Sequence, residues 1–265
     1  MNVTCIPVET KKQLDDVLWL RWKVYVEEFG YADRASFFTR REYDAFDTLD
    51  TSLQYIAYVD NEPAATVRIL TPNPDVAQEA GTSIGLDLEQ KFNLSACVAP
   101  GRVIGETTRS TVRKEWRNTG ILLEVYAAAY RHCMRLGITH WVAAGNTETD
   151  HPGDAELVYR IAARRGYTIS DWPALPRVQY DPPAQSRYRL YEGVVQNGDD
   201  DLMGLYFPRT LGLFAEKIGA RFIGPPIYDP GFKMFAMPLC VSMETMPETT
   251  RRMFEGNVRQ EAAAV

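Results

Sequence analysis

The charged residues whose spacing could serve chemistry are concentrated between residues 21 and 72. Arg21 lies in a helix-like stretch, the loop at residues 41–47 reads REYDAFD, and Arg68 lies within an apolar run. A charged group held among apolar strands needs partners, because an unpaired buried charge is costly. These groups therefore either face water or build one polar site, in which arginine forks would clamp a carboxylate or lock the acidic loop.

Composition and motifs argue against several other classes of function. The 265 residues carry a formal net charge of −6, whereas a general nucleic-acid binder would usually be basic. The chain contains neither a GxSxG nucleophile elbow nor a GxxxxGKS or GxxxxGKT phosphate loop. Its three histidines are too few for a histidine-rich metal site. We therefore predict no metal and no nucleic-acid partner.

The cysteines and the apolar runs indicate in which cellular compartment the protein is expected. The four cysteines include no CxxC pair, which is typical of reduced thiols and favours a cytoplasmic protein. The first residues lack a basic segment followed by an apolar run, so we predict no signal peptide. No apolar stretch approaches the ~18 residues that a membrane span needs, and we predict no membrane span.

The elements around the charged segments alternate between helix and strand. Apolar periodicity predicts helices at residues 10–30, 121–135, 152–165 and 208–218. Strands are predicted at residues 3–8, 54–59, 64–70, 102–112, 139–144, 186–195, 220–224 and 233–242. Residues 72–100 are predicted to be mostly loop, with a short helix near 86–92. The early antiparallel hairpin argues against a purely parallel sheet and favours a mixed α/β (α+β) fold.

Four segments of the chain, in order, resemble the autoinducer synthases, the family that makes N-acyl-homoserine lactones. They are LRWKVYVEEFGY, EYDAFD, ATVRILTP and GETTRS. The resemblance covers roughly residues 15–145, with a weaker echo at residues 204–243. The family's arginines, aromatic residues and acidic residues fall here on Arg21, Tyr25, Tyr31, Glu42, Asp44, Asp47, Arg68, Glu106 and Arg109.

The resemblance implies one GNAT-type acyltransferase domain over residues 1–265, with a mixed, V-splayed central sheet flanked by helices. Residues 146–203 would be an insertion in the C-terminal half, and residues 245–265 a terminal helix and tail. The family keeps no permanently bound cofactor. It moves a fatty acyl group from acyl carrier protein, or sometimes coenzyme A, to the α-amine of S-adenosylmethionine, whose homoserine part cyclises into a quorum-sensing signal.

Within that framework, Glu106 and Arg109 are the candidate catalytic residues. Attack on a thioester requires a neutral amine, and Glu106 is our candidate for the carboxylate that accepts the proton. Backbone N–H groups near residues 109–112 would stabilise the tetrahedral oxyanion. Strict alternation puts Glu106 and Arg109 on opposite faces of a strand, so a shared pocket requires a bulge, for which Gly105 is a plausible place.

The remaining members of the set have two interpretations. In the first, the acceptor site is formed by Arg21, Tyr25, Tyr31 and Arg68, and its loop scaffold by Glu42, Asp44 and Asp47. In the second, the arginines and acids are ion pairs that hold the loop on the helix, and the two tyrosines are ordinary core packing. Only Glu106 and Arg109 would then touch reactants.

The segment at residues 113–120 resembles a degenerate GNAT phosphate loop ahead of a predicted helix. Backbone N–H groups at a helix start favour phosphate, and the segment is basic within an acidic protein. Both features suit an acyl carrier protein with its phosphopantetheine arm. The expected donor-binding residues are Ser110, Thr111, Arg113, Lys114, Arg117 and Gly120. The alternative is a solvated basic turn.

Two features depart from the family and open other functions. Tyr25 and Tyr31 stand where phenylalanine and tryptophan are typical, and residues 146–203 lengthen the C-terminal half. Related acyltransferases with such departures acylate amino acids such as tyrosine, which is the second hypothesis. A third is a non-catalytic protein that binds acyl chains or a carrier protein, against which the intact pair Glu106 and Arg109 argues.

Overall fold

The computed structural model describes residues 2–31, 38–193 and 199–256 of the chain. They fall into two units, and the chain leaves the first unit and returns to it twice. Unit 1 contains residues 1–72, 103–139 and 248–265, whereas unit 2 contains residues 73–102 and 140–247. The expected domain boundaries, including the insertion at residues 146–203, stay predictions. In the described parts of the chain, no helix has the length and apolar character needed to cross a membrane.

Unit 1 is built on an antiparallel arrangement of four strands, with elements numbered along the whole chain. Their order is β1, β2, β3, β5, with bounds Val3–Pro7, Ser52–Val59, Glu62–Leu70 and Ile104–Val112. The helices of this unit are α1 (Lys11–Arg21), α3 (Ile121–Arg135) and α6 (Glu248–Gly256), with short 3-10 helices at Ala45–Thr48 and Lys114–Trp116. Both α1 and α3 pack against β3, which explains why that strand is buried over most of its length.

The predicted hairpin of β2 and β3 is confirmed, and its turn has a clear local cause. Asp60 and Asn61 form a two-residue connection between paired Val59 and Glu62. Both turn residues have positive φ, at 48° and 69°. Asp and Asn tolerate this left-handed conformation, which matches the twist of the flanking strands. The turn therefore sets the pairing of Val59 with Glu62, and a register shift at Ala57 and Tyr58 precedes the pairing of Gln54 with Arg68.

The first helix covers the predicted range but is less regular than its periodicity predicts. It begins at the expected capping box, in which Thr10 and Gln13 each bond the other's backbone N–H. After α1 it continues as a π-helix, Trp22–Glu28. The backbone then turns at Gly30, whose φ is 64°. The predicted end at Gly30 is confirmed, whereas the sequence carried no signal for the π-helical turn.

The described residues of unit 2 form the remaining six strands and three α-helices. The longer strands, in order β6, β10, β8, are His140–Asn146, Met234–Ser242 and Arg221–Phe222; β9 (Ile227–Asp229) also pairs with β10. A separate small pair joins β4 (Phe92–Asn93) to β7 (Leu175–Pro176). The helices are α2 (Pro74–Ala80), α4 (Pro152–Arg164) and α5 (Arg209–Leu213), the last continuing as a π-helix, Phe214–Ile218. Short 3-10 helices lie at Asp87–Gln90, Ser95–Cys97 and Asp199–Gly204.

Helix α2 lies in the segment that we predicted to be mostly loop. Its start is marked by Asn73, whose side chain accepts hydrogen bonds from the N–H groups of Asp75 and Val76. Pro74 occupies the first helical position, and Gly81 ends the helix with a φ of 61°. This combination of cap, proline and glycine is a recognised helix signature, so the helix was detectable from sequence.

The predicted strand at residues 186–195 is wrong for the described residues 186–193, which form no strand. Two carboxylates take the backbone N–H groups that a strand would have used. Asp150 accepts from the N–H groups of residues 187 and 188. Asp154 accepts from those of residues 190 and 191. The alternating pattern was real, but side-chain acceptors outcompeted a ladder partner.

Candidate functional site

Six charged side chains of unit 1 meet in one place, as the sequence indicated. Three are guanidinium groups and three are carboxylates, so their formal charges cancel. Arg21 and Arg68 are both 0% exposed, and Glu42 is 6% exposed. The members of this ion cluster are Arg21, Arg68, Arg109, Glu42, Asp44 and Asp47. Charges buried this deeply are tolerated only when each one has a partner.

The two fully buried arginines share one carboxylate. Arg21 Nε lies 2.5 Å from Glu42 Oε2, and its terminal nitrogens lie 2.8 and 2.9 Å from the two oxygens of Asp47. Arg68 Nη1 lies 2.9 Å from Asp47 Oδ1. The Arg68 guanidinium also donates to Asp44 over 2.6 and 3.0 Å. The end of α1 and strand β3 are therefore joined through the acidic loop.

The acidic loop is shaped by hydrogen bonds within itself. Asp44 caps the 3-10 helix Ala45–Thr48 by accepting from the N–H of Phe46 at 2.9 Å. Asp47 in turn accepts from the N–H of Asp44 at 2.9 Å. Aspartate is favoured at such caps because its short side chain reaches the nearby backbone. The EYDAFD spacing therefore orients both carboxylates locally, and the arginines complete their coordination.

Both aspartates of the loop are held ionised. Burial by itself would raise the pKa of Asp47, but the Arg21 and Arg68 guanidinium groups outweigh it and hold that pKa well below its usual range. Burial opposes ionisation of Asp44 as well, and Arg68 with Arg109 lowers its pKa overall. Because the folded-state pKa values lie below the ordinary value of 3.8, these groups contribute stability above that pH.

Acid is expected to remove the stability that the ionised Asp44 and Asp47 contribute. Stability should be retained above pH 3.8 and fall as the pH drops from there toward the lowered folded-state pKa values. Urea unfolding measured over a series of pH values checks this. Asp47→Asn should have a lower free energy of unfolding at neutral pH and a shallower decline in acid. An equally steep acid decline in Asp47→Asn would contradict the assignment.

Strand β5 contains the bulge that a shared pocket requires. Thr108 pairs with Arg68 of β3. The next pair in register is Thr111 with Thr66, so two residues of β5 face one residue of β3. Arg109 within this bulge has a φ of 53°, a left-handed conformation that is rare for a side-chain-bearing residue. The sequence favoured Gly105 for this irregularity, whereas the structure has it at Arg109.

The bulge brings Arg109 to the same cluster as Arg68. Its Nη2 lies 2.6 Å from Asp44 Oδ2, and its Nε lies 3.3 Å from Glu42 Oε1. The side chain of Arg109 is 13% exposed, more than those of the other two arginines. Arg109 is therefore the guanidinium group of the cluster that reaches closest to solvent.

Glu106 lies on the same face of the sheet as Arg68. It stands opposite Leu70 in the register of β5 with β3, two residues along β3 from Arg68. The residue is 3% exposed. Glu106 therefore places a buried carboxylate on the face of the sheet that also carries Arg68. Such a group is suited to proton transfer in a site that excludes water.

The two tyrosines of the expected acceptor site lie close to each other. The ring centroids of Tyr25 and Tyr31 are 6.4 Å apart, and the Tyr31 N–H donates to the carbonyl oxygen of Tyr25 at 2.8 Å. The Tyr25 hydroxyl donates to the carbonyl oxygen of Ser110 at 2.9 Å, which ties the π-helix to β5 beside the bulge. Burial raises the pKa of the Tyr25 phenol, so it stays protonated.

The basic segment before α3 makes contacts within unit 1. Arg113 donates to the carbonyl oxygen of Pro63 and to Glu115, each at 3.2 Å. Arg117 forms a two-pronged ion pair with Glu28, at 2.6 and 2.7 Å. The helix start itself is preceded by Gly120 with a φ of 85°. The expected donor-binding role of this segment stays a prediction, and it has to account for these two engaged arginines.

The expected donor-binding residues on β5 also form hydrogen bonds within unit 1. The Ser110 hydroxyl lies 2.7 Å from the hydroxyl of Tyr126 on α3. The Thr111 hydroxyl donates to the carbonyl oxygen of Arg109 at 3.1 Å. These bonds order the strand on the C-terminal side of the bulge.

Gln54 is a member of the site that the sequence interpretation missed. Its Nε2 donates to Asp47 Oδ1 at 2.7 Å, and it stands opposite Arg68 in the register of β2 with β3. The residue is 7% exposed. A polar side chain in the middle of the otherwise apolar run SLQYIAYV was the available signal, because a buried amide requires partners.

Comparison with known families places residues 16–150 in the family described as FeeM, N-acyl amino acid synthase. The matched range is slightly more than half of the chain and includes every position of the ion cluster, both tyrosines and Glu106. A comparison with curated proteins gave no match.

Solved structures of two kinds of acyltransferase share the fold. FeeM, an N-acyl amino acid synthase from uncultured soil microbes, matches with a TM-score of 0.53 and 9% identity over 92% of each chain. BjaI, a CoA-dependent acyl-homoserine lactone synthase, matches with a TM-score of 0.52 and 13% identity over 97% of this chain and 90% of its own. MesI, another CoA-dependent acyl-homoserine lactone synthase, matches with a TM-score of 0.51 and 13% identity, over 96% and 95%. The expected mixed α/β, GNAT-type fold is confirmed.

Proposed function

The chain belongs to the N-acyl amino acid synthase FeeM family, and from this premise we propose that it moves a fatty acyl group from a carrier-protein thioester to the α-amine of a free amino acid. The single observation that carries the proposal is the family match over residues 16–150. That the chain is an acyltransferase follows from the family itself. A free amino acid as the acceptor and a carrier protein as the donor are what we propose in addition.

The proposed reaction begins with loss of a proton from the ammonium group of the acceptor to Glu106. The neutral amine then attacks the thioester carbonyl, forming the carbon–nitrogen bond. As the tetrahedral intermediate collapses, the carbon–sulfur bond breaks and the pantetheine sulfur leaves as the thiol, taking up the second proton that the nitrogen loses. A carboxylate that is 3% exposed and lies on the face of Arg68 is suited to this transfer.

The backbone at the β5 bulge is the proposed oxyanion site. Two residues, Arg109 and Ser110, stand opposite one residue of β3, so the ladder is interrupted there. Bulges commonly redirect backbone groups next to active sites. Fixed N–H groups directed at a developing negative charge stabilise the transition state without reorganisation.

In this proposal the ion cluster is the scaffold of the acceptor site. Its three guanidinium groups are matched by three carboxylates, and Arg21 and Arg68 are fully buried. The cluster therefore supports the interpretation in which these residues hold the loop. Arg109, as the most exposed of the three arginines, together with Tyr25 and Tyr31, would contact the acceptor.

Synthesis of an acyl-homoserine lactone from S-adenosylmethionine is the second candidate. It is favoured by the nine positions from Arg21 to Arg109 that follow the autoinducer synthase pattern. The two tyrosines, Tyr25 and Tyr31, stand where that pattern has phenylalanine and tryptophan, which favours the amino-acid acceptor. Both candidates need the same donor and the same base, and they differ in the acceptor and in the cyclisation that follows acylation of S-adenosylmethionine.

The test is a product analysis with competing substrates. The protein is incubated with acyl carrier proteins or coenzyme A carrying acyl chains of several lengths, together with an equimolar amino-acid mixture and S-adenosylmethionine, and products are identified by mass. We expect an N-acyl amino acid and more thiol release from carrier protein than from coenzyme A. A lactone with release of methylthioadenosine would support the second candidate. No thiol release from any donor would overturn both.

A further inference from the structure

A chain of side-chain contacts joins the basic segment before α3 to the tyrosines of the proposed acceptor site. Arg117 binds both carboxylate oxygens of Glu28, at 2.6 and 2.7 Å. The same guanidinium lies 4.9 Å from the ring centroid of Phe29. The Phe29 ring stacks on Tyr31, with centroids 5.0 Å apart and planes 10° apart. Arg117 is therefore linked to Tyr31 through Phe29, and to the end of the π-helix through Glu28.

Arg117 is itself fixed to the end of β5. Its Nε and Nη2 both donate to the carbonyl oxygen of Val112 over 3.2 Å. Tyr25 makes a second link between the same two elements, through the hydrogen bond from its hydroxyl to the carbonyl oxygen of Ser110. The end of the first helix is thus attached to β5 at two points, through Tyr25 to Ser110 and through Glu28 and Arg117 to Val112.

The backbone that carries the tyrosines needs such support. Residues 22–28 form a π-helix, in which the Phe29 N–H donates to the carbonyl oxygen of Val24. π-Helical turns are rare in proteins and frequently lie at functional sites. Beyond it, Gly30 adopts a left-handed backbone conformation, with a φ of 64°. Side-chain contacts from outside the helix are therefore a reasonable means of holding Tyr31 in one position.

We propose that Glu28, Phe29 and Arg117 are positioning residues that hold Tyr31 against Tyr25 and so determine the affinity for the acceptor. This inference rests on the proposed function, because it takes the two tyrosines to line the acceptor site. It differs from the expectation that Arg117 binds the phosphate of the donor. In the structure the Arg117 guanidinium is shared between the Glu28 carboxylate and the Val112 carbonyl.

The contacts of Arg117 with Glu28 and Phe29, which we call the clamp, can be removed without unfolding the protein. The side chains of Arg117 and Glu28 are 31% and 28% exposed, and ion pairs at such positions contribute little to stability. Glu28→Gln removes the charge while keeping the shape of the side chain. Arg117→Lys keeps the positive charge but loses the two-pronged geometry and the stacking on Phe29. Any attraction of a donor phosphate would largely survive the lysine substitution.

The two variants are expected to raise KM for the acceptor by about two- to tenfold, the range expected for losing one ordered aromatic contact. The KM for the acyl donor and kcat should stay at the values of the unchanged protein. Glu27→Gln is the matched control, because Glu27 pairs with Lys23 at 2.8 Å on the same π-helix. An unchanged acceptor KM in both variants would overturn the proposal, whatever the donor KM does.

A second measurement is independent of the acceptor's identity. Hydrogen exchange is followed in the peptide that spans residues 25–31, which contains the Tyr31 N–H bonded to the Tyr25 carbonyl. Exchange should be faster in Glu28→Gln than in Glu27→Gln. Equal exchange in the two variants would overturn the clamp even if an amino acid is the acceptor. Faster exchange in Glu28→Gln supports the clamp even if the acceptor is different.

Discussion

Replacing Glu106 with glutamine is expected to reduce kcat by about 10²- to 10⁴-fold, the usual contribution of a positioned general base. The amide has nearly the shape of the carboxylate but cannot take a proton from the attacking amine. Glu106 is 3% exposed and stands opposite Leu70 of the neighbouring strand, so the replacement fits the same space. Thiol release under saturating substrates measures kcat, and thermal unfolding followed by circular dichroism measures whether the fold is retained.

A second buried glutamate provides the control for Glu106→Gln. Glu89 in unit 2 is 1% exposed, and its carboxylate accepts the backbone N–H groups of residues 83–86. Glu89→Gln should lower the melting temperature, because charge-assisted bonds are lost, and leave kcat unchanged. If Glu106→Gln retains full turnover, the base is another group. If it lowers stability in the manner of Glu89→Gln with no separate loss of kcat, its role is structural.

Replacing Arg21 with methionine is expected to lower the free energy of unfolding by about 3–5 kcal/mol, since removing one partner leaves buried charges uncompensated. Arg21 is 0% exposed, and it binds Glu42 at 2.5 Å and both oxygens of Asp47. Methionine fills much of the same volume, so the loss reports on charge and not on a cavity. Urea unfolding followed by circular dichroism measures the difference in free energy of unfolding between Arg21→Met and the unchanged protein.

Arg41 offers a matched control near the surface. It forms a two-pronged ion pair with Asp15, with both contacts at 2.6 Å, but the two side chains are 29% and 54% exposed. Arg41→Met should cost only about 0–1 kcal/mol. Equal losses in Arg21→Met and Arg41→Met would show that burial of the ion cluster adds nothing to stability. If Arg21→Met does not fold, Arg21→Lys compared with Arg41→Lys gives the same contrast with smaller effects.

The sequence predicted those parts of the fold that depend on short-range patterns. The β2–β3 hairpin follows from Asp60 and Asn61 between two apolar runs, and the helix at residues 121–135 has the predicted bounds. The ion cluster followed from the need to pair Arg68 with acids if its strand was buried. In each case, local spacing or the cost of an unpaired charge was sufficient to give the result.

The remaining features depend on partners that are distant in sequence. Glu28 and Arg117 are separated by 89 positions, and no local pattern marks them as a pair. The segment at 186–193 lost its predicted strand because acceptors on Asp150 and Asp154 satisfied its N–H groups. The bulge was expected from the need to place Glu106 and Arg109 together, but its position depends on the register of β5 with β3.

The balance of three guanidinium groups against three carboxylates has a consequence for engineering. An incoming molecule that carries its own carboxylate meets a set of arginines that already have acidic partners, so it must displace one of those partners or be recognised elsewhere. Variant libraries aimed at a new acceptor should therefore keep the six charged residues as one block. Diversity belongs at the aromatic positions, Tyr25 and Tyr31, where changes of size leave the interior electrically neutral.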